Sequence, residues 1–275
     1  AIPGGPFNSE KAKSPAVMEE LEARYGLDQP LIVQYKNYMV GVLHGDFGVS
    51  LKTDRPISDI IGESFPISAK LGLLAALVAI VAGVVLGSIA ALMRNKWPDR
   101  IIVFFVTLIT SMPSFVIATL LLYFFCIKLG VVQAFNSGSN MVFLPVLSLS
   151  LSPMAYITRL TKTSMLDALG QDYIRTAKAK GVSQAKVIFV HGLRNALIPV
   201  ITYVGPMIGG ILTGSMVIES IFNIGGLGSK FVSCITNRDY TMIMATTLFL
   251  AVIMVFANLI TDIVYKLVDP RISLD

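Results

Sequence analysis

Long apolar runs separated by short polar stretches dominate this chain. Residues 71–93, 101–127, 141–157, 195–218 and 240–261 each contain no charged side chain. A bilayer core about 30 Å thick is crossed by about 20 mostly apolar helical residues. The runs therefore predict an all-α integral membrane protein with five transmembrane helices in the sequence. Gly83, Pro113, Pro153, Pro206 and Gly209 interrupt them. Membrane helices tolerate such residues, because neighbours re-satisfy the backbone and glycine permits close approach. Met112-Pro113-Ser114 predicts a kink in the second span. Gly205, Gly209, Gly210 and Gly214 recur along the fourth. They mark either ordinary helix packing or a helix lining a pathway.

The polar stretches set the orientation. Arg94, Lys96 and Arg100 follow the first span, and Lys128 alone follows the second. Arg159, Lys162, Arg175, Lys178, Lys180, Lys186 and Arg194 follow the third. Only Lys230 and Arg238 follow the fourth, and Lys266 and Arg271 lie beyond the last. Basic loops stay cytoplasmic, so the first span should run from outside to inside. Residues 1–65 are then expected to be extracytoplasmic, 66–268 to form the transmembrane domain, and 269–275 a cytoplasmic tail. The stretch 160–195 is its large cytoplasmic loop. A polar segment ahead of an inward-running span implies a further membrane helix before Ala1, giving six spans in all, or a removed signal peptide. Within that segment the pattern predicts helices over 15–25 and 31–43, a turn over 45–50, and a short surface helix over 56–63.

Composition narrows the function classes. Of the 275 residues 54% are hydrophobic and 14% charged, against about a quarter charged in soluble domains. The net charge of +5 lies in the loops, which argues for positive-inside topology and against nucleic acid. Cys126, Cys234, His44 and His191 have no spacing that suits a metal or a disulfide framework. No GxxxxGK[ST] motif is present, so no ATP binding by this chain is expected. No catalytic constellation stands out. Glu219 and Lys128 are placed at outer ends of spans, and the shortage of ionisable residues at mid-span argues against an ion-coupled carrier. Met112, Ser114, Gly209 and Thr213 are the candidates for lining a translocation path.

The most informative stretch is 170–199, GQDYIRTAKAKGVSQAKVIFVHGLRNALIP. Asp172–Lys180 forms helix well, Gly181 should stop it, and Ser183 can start the next. Small Ala177, Ala179 and Gly181 beside basic Arg175, Lys178 and Lys180 suit docking in a partner's groove. A plain positive-inside loop is the competing reading.

This stretch resembles the coupling loop of type I ABC importer permeases. Arg175-Thr176-Ala177 stands where the general pattern has Glu-Ala-Ala. Tyr173–Gly181 and Leu193–Pro199 resemble the form found in the peptide and nickel subgroup. Pro3-Gly4-Gly5-Pro6, Tyr25–Leu31, Gly45–Ser50, Glu219–Gly228 and Asp269-Pro270-Arg271 resemble further segments of it, with Gly5 replacing an acid and Gly225 a proline. The resemblance implies a channel-forming subunit of an ATP-driven importer of di- or oligopeptides in a bacterial or archaeal plasma membrane. A metal chelate or another small solute is the alternative cargo, and a stand-alone carrier or channel the alternative class. It implies a second, homologous permease, two cytoplasmic ATPase subunits that use ATP and Mg, and an extracytoplasmic solute-binding protein. Asp172, Tyr173, Arg175, Thr176, Ala177, Lys178, Ala179, Lys180 and Gly181 would meet the ATPase. Asp46, Phe222, Gly226 and Arg238 would face the binding protein.

Overall fold

The structure, a computed structural model, describes residues 28–131 and 142–268. The helix expected over 15–25 and the tail 269–275 lie outside them. Helix α1 (Leu31–Leu43) forms where the pattern placed it and buries none of its residues. A turn follows, with Gly45 and Gly48 both at φ +81°, a region that favours glycine. The Asp46 carboxylate accepts the Gly48 N–H at 2.8 Å and closes it.

Helix α2 (Ile57–Leu92) has 36 residues, about 54 Å at 1.5 Å per residue. The separate surface helix expected over 56–63 is instead its first turns. Pro66 lies inside the helix without ending it. The reason is tertiary: Ile57, Ile60, Ile61, Ser64 and Ser68 are buried at helical spacing, and the isoleucines pack against Leu227, Met242 and Ala245. That packing outweighs the single backbone bond proline removes.

The second apolar run is two helices, α3 (Trp97–Ser111) and α4 (Ser114–Leu122), the latter continuing as a π turn over Tyr123–Lys128. They meet at 105°, a far sharper break than a kink. Met112 is extended (φ −108°, ψ 137°) and so is Pro113 (φ −59°, ψ 141°). Proline disfavours helix in the residue before it, and two extended residues in series turn the chain through a corner.

Helix α5 (Phe143–Leu169) extends well beyond the apolar run that announced it. Helix α6 (Asp172–Ala179) is short. A turn at Gln184–Lys186 and a π segment at Val187–Leu193 lead into α7 (Arg194–Gly214). The fourth run does not continue helically to 218: Ser215 separates α7 from α8 (Met216–Ile221). Then come α9 (Leu227–Thr236) and α10 (Tyr240–Val268). Four helical stretches are long and apolar enough to span a bilayer, or five with α3 and α4 taken as one. The five expected spans are thus all represented.

Small residues line the α2 side of the interface with α5. The contact of α2 with α5 is the most extensive among the described residues, and α2 has Ala75, Ala79, Gly83, Gly87, Ala90 and Ala91 buried. A Cβ on Gly87 would stand 2.6 Å from the Thr158 carbonyl oxygen. The opposite face of α2 exposes Leu73, Leu77, Val81 and Val85. Large side chains outside and small ones inside suit a helix surrounded by lipid, where close backbone approach replaces the hydrophobic drive. Asp99 is buried near one end, accepting the Asn95 N–H at 3.0 Å and pairing with Lys162 at 2.5 Å, which ties the first basic loop to α5.

Candidate functional site

The candidate side chains fall in three places: the end with the basic loops, a cleft along the spans, and the opposite end.

At the basic end, α6 stops on a Schellman motif. Gly181 has φ +72°; its N–H reaches the Lys178 carbonyl at 3.0 Å, and the Val182 N–H reaches that of Ala177 at 3.2 Å. Val182 then packs with Ile174, Ala177 and Val187, the apolar contact that accompanies this cap. The sequence foresaw the stop at Gly181. It did not foresee that Ala177 turns inward: at 8% exposure it fastens α6 to its own chain and is not offered to a partner. Asp172, Tyr173, Arg175, Thr176, Lys178, Ala179, Lys180 and Gly181 are exposed. The Asn195 amide donates to the Tyr173 hydroxyl at 3.2 Å. Ser183 stands before Gln184 as expected, without a side-chain capping bond. The result is a rigidly seated helix with a polar, basic outer surface.

The candidate path residues do not share one wall. Ser114 lines a cleft of about 310 Å³ with Ser148, Ser152, Tyr203 and Gly210. Met112 lines a different, wholly apolar hollow of about 400 Å³ inside the α3–α4 corner. Gly209 faces α10, since a Cβ there would meet that of Ala257 at 3.3 Å. The Thr213 side chain lies outside the described residues. Helical phase explains the split: adjacent residues such as Gly209 and Gly210 differ by about 100° around the axis.

At the opposite end a buried carboxylate organises the α8–α9 loop. Glu219 is fully buried. It accepts a short hydrogen bond from the Ser215 hydroxyl and one from the Ser229 N–H at 3.0 Å. The Ser68 hydroxyl of α2 accepts the Leu227 N–H at 2.8 Å. A Cβ on Gly226 would collide with both Glu219 and Ser68, and one on Gly228 would lie 2.8 Å from Met216 Cα. A negative charge at the start of α9 also suits the helix dipole. Two expected surface residues are therefore corrected. Gly226 is buried in this knot, and Phe222, 3% exposed, packs with Leu71, Ala75 and Leu144. Asp46 is exposed and Arg238 partly so.

Asp239 is a second buried acid at this end, one that the sequence reading passed over. It accepts the Ser50 hydroxyl at 2.5 Å, the Leu51 N–H at 3.1 Å and the Met242 N–H at 3.2 Å. It caps α10 and fastens the 45–56 loop to it. An acid just before the run beginning at Tyr240 was a legible capping signal; its partner Ser50, 189 positions away, was not. Between these segments lies a cleft of about 230 Å³ lined by Lys52, Arg55, Glu63, Lys230 and Asn237 among others. Cys234 is buried beside it, and burial pushes its thiol up to about 11.

A bundle of apolar spans with small-residue interfaces, a basic helical loop at one end and knotted polar loops at the other defines a membrane-embedded helical subunit. Residues 83–274 match the binding-protein-dependent transport system inner membrane component family, and the chain belongs to it. It is 48% identical to the dipeptide transport system permease protein DppB of Bacillus subtilis, over 99% of this chain and 89% of that one. It is 45% identical to the oligopeptide transport system permease protein OppB of Haemophilus influenzae, over 98% and 90%. The fold is shared with the MetNI methionine ABC transporter (TM-score 0.65, 14% identity, 76% of this chain and 96% of that one). It is also shared with an amino acid ABC transporter (TM-score 0.63, 15% identity, 76% and 94%).

Proposed function

We propose that this chain is a channel-forming subunit of an ATP-driven importer of di- or oligopeptides, paired with a second homologous permease. The observation that carries the reading is α6: a short helix locked to its own chain on one side and exposed on the other, in a protein 48% identical to a dipeptide permease. Such a helix passes on a push as a rigid lever, because its seat is packed and its stop is fixed. In this reading two cytoplasmic ATPase subunits hold ATP and Mg and grip α6. A solute-binding protein docks at the opposite end, where the Lys52–Lys230 cleft offers charged and polar contacts. ATP binding shifts the pair between inward- and outward-open states.

Purification in mild detergent tests this: the chain should bring down an ATPase, and peptide uptake in vesicles should stop when that ATPase is disabled. Uptake by the chain alone would refute the proposal. In the assembled importer, Gly181→Asp puts a Cβ at φ +72°, at about 1 kcal/mol for a residue type that visits this region, and adds a negative charge to the outer surface. Uptake should fall at least fivefold while ATP hydrolysis continues, measured side by side on one preparation.

Orientation is tested by labelling. With Cys126→Ser as background, Asp28→Cys should react with an impermeant maleimide added to intact cells. Cys234 should stay silent, being buried, with its thiol neutral at pH 7 because burial holds it up near 11. Labelling of residue 28 only after lysis would invert the topology.

A further inference from the structure

The cleft between α5 and α7 has a chemistry that a helix packed only against lipid would not need. Its polar side chains are hydroxyls, and no charged residue lines it. Ser148 and Ser152 lie one turn apart on α5, Tyr203 comes from α7, and Ser114 opens α4. Among the described residues the Ser114 and Ser152 hydroxyls have no hydrogen-bond partner, while Ser148 donates to the Leu144 carbonyl at 2.8 Å. Pro153 has no N–H to offer the carbonyl of Leu149, which also lines the cleft, so this acceptor lacks its usual helical donor. Tyr203 is held by its ring, 4.2 Å from that of Tyr156.

Such a wall offers donors and acceptors together. A serine hydroxyl gives one proton and accepts at two lone pairs, and a carbonyl accepts. A peptide amide needs both, one N–H to be accepted and one C=O to be donated to. Hydroxyls left dry cost about 1–3 kcal/mol each, so an occupant that pairs with them is favoured over an acyl chain that cannot. The volume of about 310 Å³ is at the lower end of small-ligand sites. The lack of charge has a consequence too: the wall would hold the main chain of a peptide and stay indifferent to its side chains.

We propose that this cleft is a subsite for the peptide backbone on the translocation path, with the Ser152 hydroxyl as its central contact. The proposal rests on the peptide-import reading and adds to it where the cargo is held and by which chemistry. Side chains would then be selected elsewhere, and peptides of different sequence would pass through the same spans.

The test compares two side chains of nearly equal shape in the complete importer, reconstituted with its ATPases and binding protein. Ser152→Thr keeps a hydroxyl, and Ser152→Val replaces it with a methyl group. Uptake of radiolabelled trialanine should fall about tenfold in the valine variant and stay within twofold in the threonine variant, at equal ATP hydrolysis. Equal behaviour of the two overturns the subsite but leaves peptide import standing. Absence of trialanine uptake in the unsubstituted complex overturns both. Should Ser152→Val fail to assemble, a trialanine bearing a photoreactive diazirine decides with the unsubstituted complex. Crosslinks to residues 148–153 or 203–210 support the subsite, and crosslinks confined to other segments, or none, overturn it.

Discussion

Glu219→Ala is expected to destabilise the α8–α9 loop by about 3 kcal/mol and to lower uptake at least tenfold. The carboxylate is fully buried and takes hydrogen bonds from Ser215 and from the Ser229 N–H. Hydrogen bonds to charged groups are worth about 1.5–3 kcal/mol each, and removing the acceptor leaves the half-buried Ser229 N–H unpaired. The loss would spread, because Gly226 and Gly228 are shaped around this side chain and the Leu227 N–H is held by Ser68 of α2. Glu219→Gln keeps the shape and one carbonyl acceptor for Ser229, so uptake should stay within threefold of the unsubstituted protein. Limited proteolysis of purified complex, followed at bonds within 222–230, would report the loosening directly. If Glu219→Ala is as resistant and as active as the unsubstituted protein, the carboxylate does not hold this loop.

The second large effect is expected at Gly87. An alanine Cβ there would lie 2.6 Å from the Thr158 carbonyl oxygen and from Thr161 Cβ, and 3.1 Å from the Lys162 backbone nitrogen. Two of these are backbone atoms, which cannot rotate away. The helices must separate, and α2–α5 is the chain's main contact. Overpacking of this kind costs about 3 kcal/mol, so Gly87→Leu should leave little folded protein in detergent. Gly210→Ala is the control: a Cβ on Gly210 meets nothing within 4 Å, and its yield should match the unsubstituted chain. Size-exclusion profiles of the two variants, expressed together with their partners, make the comparison.

Much of this architecture was legible. An uncharged, mostly apolar run of 23 residues has few alternatives to a bilayer-spanning helix, and four of the five runs map onto helices long enough to span, the second onto the bent α3–α4 pair. The stop at Gly181 was legible because a positive φ after a helix is a local demand, met by the residue itself. Misreadings occurred where distant parts of the chain decide. Residues 56–63 look like a separate short surface helix, yet contacts with α9 and α10 draw them into α2. Phe222 and Gly226 look like an exposed loop motif, yet α2, α4 and α5 bury Phe222, and Glu219 and Ser68 close over Gly226. Gly83 and Gly87, four apart, carried a small-xxx-small signal for helix packing that was passed over in favour of the glycines on α7.

The sequence by itself determined the solvent and most of the secondary structure. Apolar run length, loop charge and helix stops are properties of neighbouring residues, and each of them acts on the chain whatever lies elsewhere. Only the tertiary structure decided which residues face one another: that Ala177 is a seat and not a handle, that Ser114 and Ser152 share a wall while Met112 does not, and that Glu219 and Asp239 are buried struts. Those facts depend on helix phase and on contacts across as many as 189 positions, and no local pattern encodes a partner that far away.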